Sequence, residues 1–178
     1  MDANLNLPIM MEKGNTACFT GHRHLPADRI DEIVKKLDHV IAILHHAGYR
    51  YFVCGGALGF DMLAEQRVIH ASEQGLDVKL VLALPCRNQT ENWVGPHGID
   101  YIREYQRIKG RAAAVYYIEN FYTPDCMKRR NQSMVDHSSF CVAYYDGNFR
   151  SGAGQTYRMA EKAGLKTYNV YDVLKTTK

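Results

Sequence analysis

Several things are missing from this sequence, and each absence removes a class of protein. No apolar run approaches the roughly 20 residues needed to cross a bilayer, and the polar opening MDANLNLP lacks the basic-then-apolar order of a secretory leader. A cytoplasmic protein without a membrane partner is the expectation. The five cysteines, Cys18, Cys54, Cys86, Cys126 and Cys141, form no CxxC pair, and three lie inside apolar runs, where a thiol packs as a small hydrophobe. That argues against a disulfide framework and against a zinc site, so no metal is expected. Charge of either sign is scarce in excess: the formal net charge is +3. So small a surplus permits an anionic small ligand but does not by itself call for nucleic acid, which is not expected as a partner. There is no internal repeat and no low-complexity segment.

What is present is a rhythm. The 178 residues, 46% of them hydrophobic, suit one domain with a sizeable core. Residues 1–15 show no periodicity and read as an N-terminal tail, leaving 16–178 as the domain. NTACFTGHR is a strand, followed by a helix from about Asp28 to Ala47 whose apolar residues recur at helical spacing and which Gly48 stops. YRYFVCGG is a second strand, GFDMLAEQRVIHASEQG a helix and VKLVLALP a third, almost wholly apolar strand. The polar stretch CRNQTENWVGPHG is long for a strand-to-helix loop and is a candidate lid. A helix through IDYIREYQRIKG and a strand AAVYYI follow. Thr123 and Pro124 then suit the cap and first position of a helix through DCMKRRNQSMVDHS. SFCVAYY, a helix from about Gly154 to Ala163 and a short strand KTYNV complete the pattern. Such alternation predicts an α/β fold: a single Rossmann-like, doubly wound, mainly parallel sheet with helices on both faces.

In that architecture ligands bind beyond the carboxyl ends of the strands, and these ends are polar or glycine-rich. Strand one runs into Thr20, Gly21, His22 and Arg23, and strand two into GGALGFD, where Gly55, Gly56, Ala57 and Gly59 precede Asp61. Glycines there allow a close backbone approach, and amides at the following helix start favour an anion. The same glycines would also serve a tight turn, and Asp61 either meets a ligand or compensates the helix dipole. The loop is not the GxGxxG dinucleotide fingerprint, so NAD in the usual Rossmann pose is not expected. After strand five, SGAGQT offers Gly152 and Gly154 as backbone donors and Thr156 as a hydroxyl. Two such loops on one sheet suit a pyrophosphate or phosphoribosyl group.

The order TGHR, GGALGFDMLAEQ, a proline with Gln89 and Trp93, RRNQSMVDHSS and YDG…SGAGQT resembles the YpsA-like family of the SLOG superfamily, which also holds the LOG phosphoribohydrolases and DprA. The resemblance spans about Ala17 to Val170. It implies a nucleotide-derived ligand over the strand ends and a homodimer or higher homo-oligomer. LOG proteins hydrolyse the N-glycosidic bond of nucleoside monophosphates with an arginine and a glutamate. Arg130 matches that arginine, whereas Tyr157 and Arg158 stand where the acidic pair would be.

Individual residues keep two readings each. Arg129 and Arg130 cannot both face one way; Arg130, with Asn131 beside it, is the candidate for the site, against a solvated KRR face. Arg23 suits a phosphate bidentately, and His22 is either a ligand contact or a satisfied loop histidine. Trp93 either covers a base or pins its loop to the core. Tyr101, Arg103, Tyr105 and Arg107 mark an amphipathic helix or, less readily, a strand-binding surface. Asp136 and Asp146 are candidates for ribose contact or loop support. The favoured function is binding or sensing of a nucleotide, an NAD fragment or ADP-ribose, relayed to a protein partner. The alternatives are N-glycoside hydrolysis, with Arg130 steadying the substrate and Asp61, Asp136 or Glu161 supplying the anion, and DprA-like binding of single-stranded DNA.

Overall fold

The computed structural model describes residues 11–176. The apolar runs form β1 (Thr16–Gly21), β2 (Tyr51–Cys54), β3 (Lys79–Cys86), β4 (Ala114–Glu119), β5 (Phe140–Tyr144) and β6 (Lys166–Asn169). They make one Rossmann-like sheet in the order β4-β3-β2-β1-β5-β6, with every neighbouring pair parallel. The order reverses direction between β1 and β5, where Cys18 lies between Val53 and Cys141. Loops leaving β1 and β5 therefore turn to opposite faces, which opens a crevice at the switch point.

The connecting helices are α1 (Ile30–His46), α2 (Phe60–Glu73), α3 (Gly98–Arg111), α4 (Cys126–Asp136), α5 (Gly152–Lys162) and α6 (Val170–Lys175). Side chains alternate across each strand, so the inner strands are apolar on both sides. Ala17, Phe19, Phe52, Leu82 and Val142 face a large core closed by α1, α2, α3 and α6. Cys18, Val53, Val81, Ala83 and Cys141 face a smaller one that takes Met134 and Val135 from α4 and Ala160 from α5. All five cysteines are free and buried.

Three local expectations shift. The helix expected to be capped by Thr123 begins later: Asp125 is its N-cap residue, and the Thr123 hydroxyl donates to Asp125 Oδ1 at 3.0 Å instead. The helix expected from about Gly154 starts at Gly152, because the Ser151 hydroxyl accepts from the Gly154 amide at 3.0 Å and sets the first turn. A sixth helix, α6, follows the last strand, with Asn169 accepting from the Tyr171 amide at 3.3 Å. Of the expected tail, residues 1–10 lie outside the described residues. Lys13–Asn15 form a single 3-10 turn joined to the sheet, since the Arg50 amide donates to the Asn15 carbonyl at 2.9 Å.

Candidate functional site

A cleft of about 390 Å³ opens over the carboxyl ends of β1 and β5, between α4 and α5. One wall is the β1 loop, with Thr20, Gly21, His22 and Arg23. A second is α4, through Met127, Arg130, Asn131 and Met134, and a third is the start of α5, through Ser151, Gly152, Ala153 and Thr156. Ala57 and Asp61 complete it from the β2 loop and α2. The sheet crossover thus brings together residues more than a hundred positions apart.

Beneath the cleft lies buried charge. Asp61 and Glu65 sit one helical turn apart on the inward face of α2, and Arg130, buried on α4, lies near enough for its charge to act on both. Arg130 donates through Nη1 to the Gly55 carbonyl and through Nε to Asn131 Oδ1 at 2.7 Å. Gly55 is required for this: a Cβ there would collide with the Arg130 guanidinium. Burial pushes the Asp61 carboxyl up, opposed by the Arg130 charge and by hydrogen bonds from the Ala57 and Gly55 amides. Glu65 is held well above the ordinary carboxylate range, by burial and then by the Asp61 charge, although it accepts from the Gly56 amide at 3.0 Å. Burial in turn lowers the Arg130 guanidinium. The glycine-rich loop therefore turns its amides inward, onto two carboxylates of the protein's own.

The rim differs. Gly59, at φ +81°, lets the start of α2 press against the Arg23 backbone, and the Phe60 amide donates to the His22 carbonyl at 3.1 Å. The Arg23 backbone is pinned, while its exposed side chain makes no hydrogen bond or ion pair among the described residues. Across the cleft, the Gly152 and Ala153 amides open the first turn of α5 without an acceptor among the described residues. His22 Nε2 lies 2.9 Å from Asp146 Oδ1 and 3.2 Å from the Asp146 amide nitrogen, tying the β1 and β5 loops together. The Asp146 carboxyl is lowered by the Asn148 amide and then by His22.

Other sequence candidates lie elsewhere. Gly55, Gly56, Gly59 and Gly154 support the loops from outside the cleft lining. Trp93 packs edge-on against Tyr105 at 5.3 Å, joining its polar loop to the large core. Asp136 ends α4 and accepts from Gln132 at 2.8 Å, and neither it nor the exposed Glu161 lines the cleft. Thr156 lines it, but its hydroxyl donates to the Gly152 carbonyl at 3.0 Å. Glu65 escaped notice; its signal was the i, i+4 spacing from Asp61 on a face otherwise made of Phe60, Ala64 and Val68. Ser151, Met127 and Met134 also line the cleft without having been singled out.

A parallel six-stranded sheet with helices on both faces and a crevice at its switch point defines a Rossmann-like α/β class. A family model described as the YspA SLOG family matches residues 19–177. The chain belongs to that family. It is 29% identical over 126 residues to the uncharacterized SPbeta prophage-derived protein YoqJ of Bacillus subtilis (strain 168), covering 64% of this chain and 71% of that one. A UPF0398 protein of Bacillus cereus (strain B4264) is 25% identical over 148 residues, covering 82% and 78%. Among solved structures, DNA processing protein A from Helicobacter pylori, described for its single-stranded DNA binding mode, shares the fold with a TM-score of 0.58 at 16% identity, over 92% of this chain and 73% of that one.

One expectation is overturned by that last match. The small net charge argues against nucleic acid, yet a protein of the same fold binds single-stranded DNA. A whole-chain sum averages opposite charges away and is blind to where arginines gather: here Arg23 stands on the cleft rim, and Arg150 and Arg158 flank the exposed Phe149. Among the described residues, no helix is long and apolar enough to cross a membrane.

Proposed function

We propose that the cleft binds a nucleotide-like ligand, such as a nucleoside monophosphate or ADP-ribose, through its phosphate. The observation that carries this reading is the pairing of a pinned but unengaged Arg23 with the acceptor-free Gly152 and Ala153 amides across the cleft. An arginine and a helix N-terminus lining one cleft are suited to one phosphate group, which would satisfy both. Thr20, Gly21 and Asn131 line the space between them and can contact the sugar. Binding is favoured over N-glycoside cleavage because Asp136 and Glu161 do not line the cleft and Asp61 is already held by the Ala57 and Gly55 amides. Titration calorimetry with AMP and ADP-ribose tests the reading, with chromatography of the same mixtures for free base. Saturable heat with at least one of them and no released adenine is expected; absence of binding by both overturns it.

A second reading, a nucleotide unit within single-stranded DNA, is favoured by Phe149. This ring is 54% exposed beside the α5 turn, with the Arg150 and Arg158 guanidinium carbons each 5.6 Å from its centroid. An exposed aromatic between cations is how sequence-independent single-strand binders hold a base and its backbone, and the fold match to DNA processing protein A accords with it. An oligonucleotide whose affinity falls steeply as salt rises supports this second reading, and a salt-independent one rejects it.

A further inference from the structure

Arg23 lines a second cavity as well as the cleft. This outer cavity, about 460 Å³, lies on the far side of the β1 loop, and its walls are Leu25, Ile30, Leu58, Met62, Leu63 and Tyr101. We infer that it is a ring-binding subsite of the same ligand, so that the protein holds two nucleotide units with Arg23 on the phosphate between them. The inference rests on the nucleotide reading above and adds the size and order of the ligand.

Three features support one continuous site. The first is the shared residue: an exposed arginine that borders both cavities, its side chain without a hydrogen-bond or ion-pair partner among the described residues, can meet a phosphate that joins a group on either side. The second is the groups each space offers. The cleft presents Thr20, Asn131 and the α5 turn to a phosphoribosyl group, and the outer cavity presents Leu25, Leu58, Met62, Leu63 and the half-exposed Tyr101 ring to a base. The third is Gln66, the polar residue among these aliphatic walls besides His24 and Arg23. Its Nε2 donates to Glu104 Oε1 at 2.8 Å, which turns the amide and leaves the carbonyl oxygen with no donor among the described residues. That oxygen can accept from an exocyclic amine of the kind adenine carries.

The shared chemistry is a phosphodiester-linked pair of units, whose source is either a free dinucleotide or adjacent residues of a single strand. Calorimetry with AMP, the dinucleotide pApA and the oligonucleotide (dA)12 tests it. The expectation is that pApA binds at least tenfold more tightly than AMP, and that Tyr101→Ala and, independently, Tyr101→Glu bring pApA down to the affinity of AMP. Position 101 is surface-accessible, and unchanged melting of both variants shows that they fold. Either source supports the subsite: further tightening with (dA)12 identifies a strand, and equality with pApA a free dinucleotide. If AMP binds and pApA binds no better, or if its advantage survives both substitutions, the outer subsite is overturned while the nucleotide reading stands. If none of the three binds, the outer subsite falls, and the nucleotide reading is overturned with it when ADP-ribose also fails to bind.

Discussion

Two arginines stand over the ends of the same strands in opposite circumstances. Arg130 is buried, donates to the Gly55 carbonyl and to Asn131, and faces the buried carboxyls of Asp61 and Glu65. Arg23, on the adjoining loop, has a fixed backbone and an unengaged, exposed side chain. The floor of the cleft is thus a buried unit whose charges mainly answer one another, with Arg23 adding a lesser field to Asp61 and Arg130, and the rim is an open one. A charge already satisfied inside the protein contributes to architecture, whereas a positioned charge without a partner is available to a ligand.

The largest effect should come from breaking the floor. Arg130→Met leaves the Asp61 carboxyl buried without its nearby cation and the Gly55 carbonyl without its donor, and loss of one partner from a buried ionic group costs about 3–5 kcal/mol. Urea denaturation at pH 7.5 should show a loss of that order; a change under 1 kcal/mol would mean that the carboxyls do not depend on Arg130. Next comes Gly55→Ala. Its Cβ cannot coexist with the guanidinium where it lies, so the arginine or the end of β2 must move, with a cost of about 1–3 kcal/mol typical of overpacking. Because the two changes act on one interaction, their combination should cost clearly less than the sum.

The smallest effect has a sign set by pH. A carboxyl held above its ordinary value favours the folded state while protonated. That contribution is fully present below the ordinary value of 4.5 and is lost as pH rises towards the raised one. Glu65→Gln keeps an acceptor for the Gly56 amide and removes the ionisable proton. The variant should therefore gain melting temperature over the native chain as pH rises above about 5, with the gain shrinking at pH 4. A gain that is flat across this range would show that Glu65 is not held protonated by its burial.

Much of this contrast could be read in advance, and the part that could not has a definite cause. The apolar runs at Cys18–Phe19, Tyr51–Cys54 and Val81–Ala83 dictate doubly buried parallel strands, whereas the strand order, and with it the switch point between β1 and β5, is seen only in the folded sheet. Loop residues near the strand ends were legible for the same reason, and residues 20–23 line the cleft together. Where GGALGFD points its amides was not legible. Glycine spacing is the same whether a loop holds an outside anion or, as here, the protein's own Asp61 and Glu65. Trp93 was equally ambiguous, and only packing on Tyr105 decides its role. The net charge misled about nucleic acid because pairs such as Arg67 with Asp38 and Arg107 with Glu104 cancel in the sum, while Arg23 does not.

The difference between floor and rim is tested most directly at Arg23. AMP should be titrated into Arg23→Glu and into the native chain under identical low-salt conditions, with urea stability measured in parallel. Affinity should fall at least tenfold while stability stays within about 0.5 kcal/mol, as for an exposed side chain without partners. Undiminished affinity in the variant would contradict the assignment of the rim arginine to the ligand.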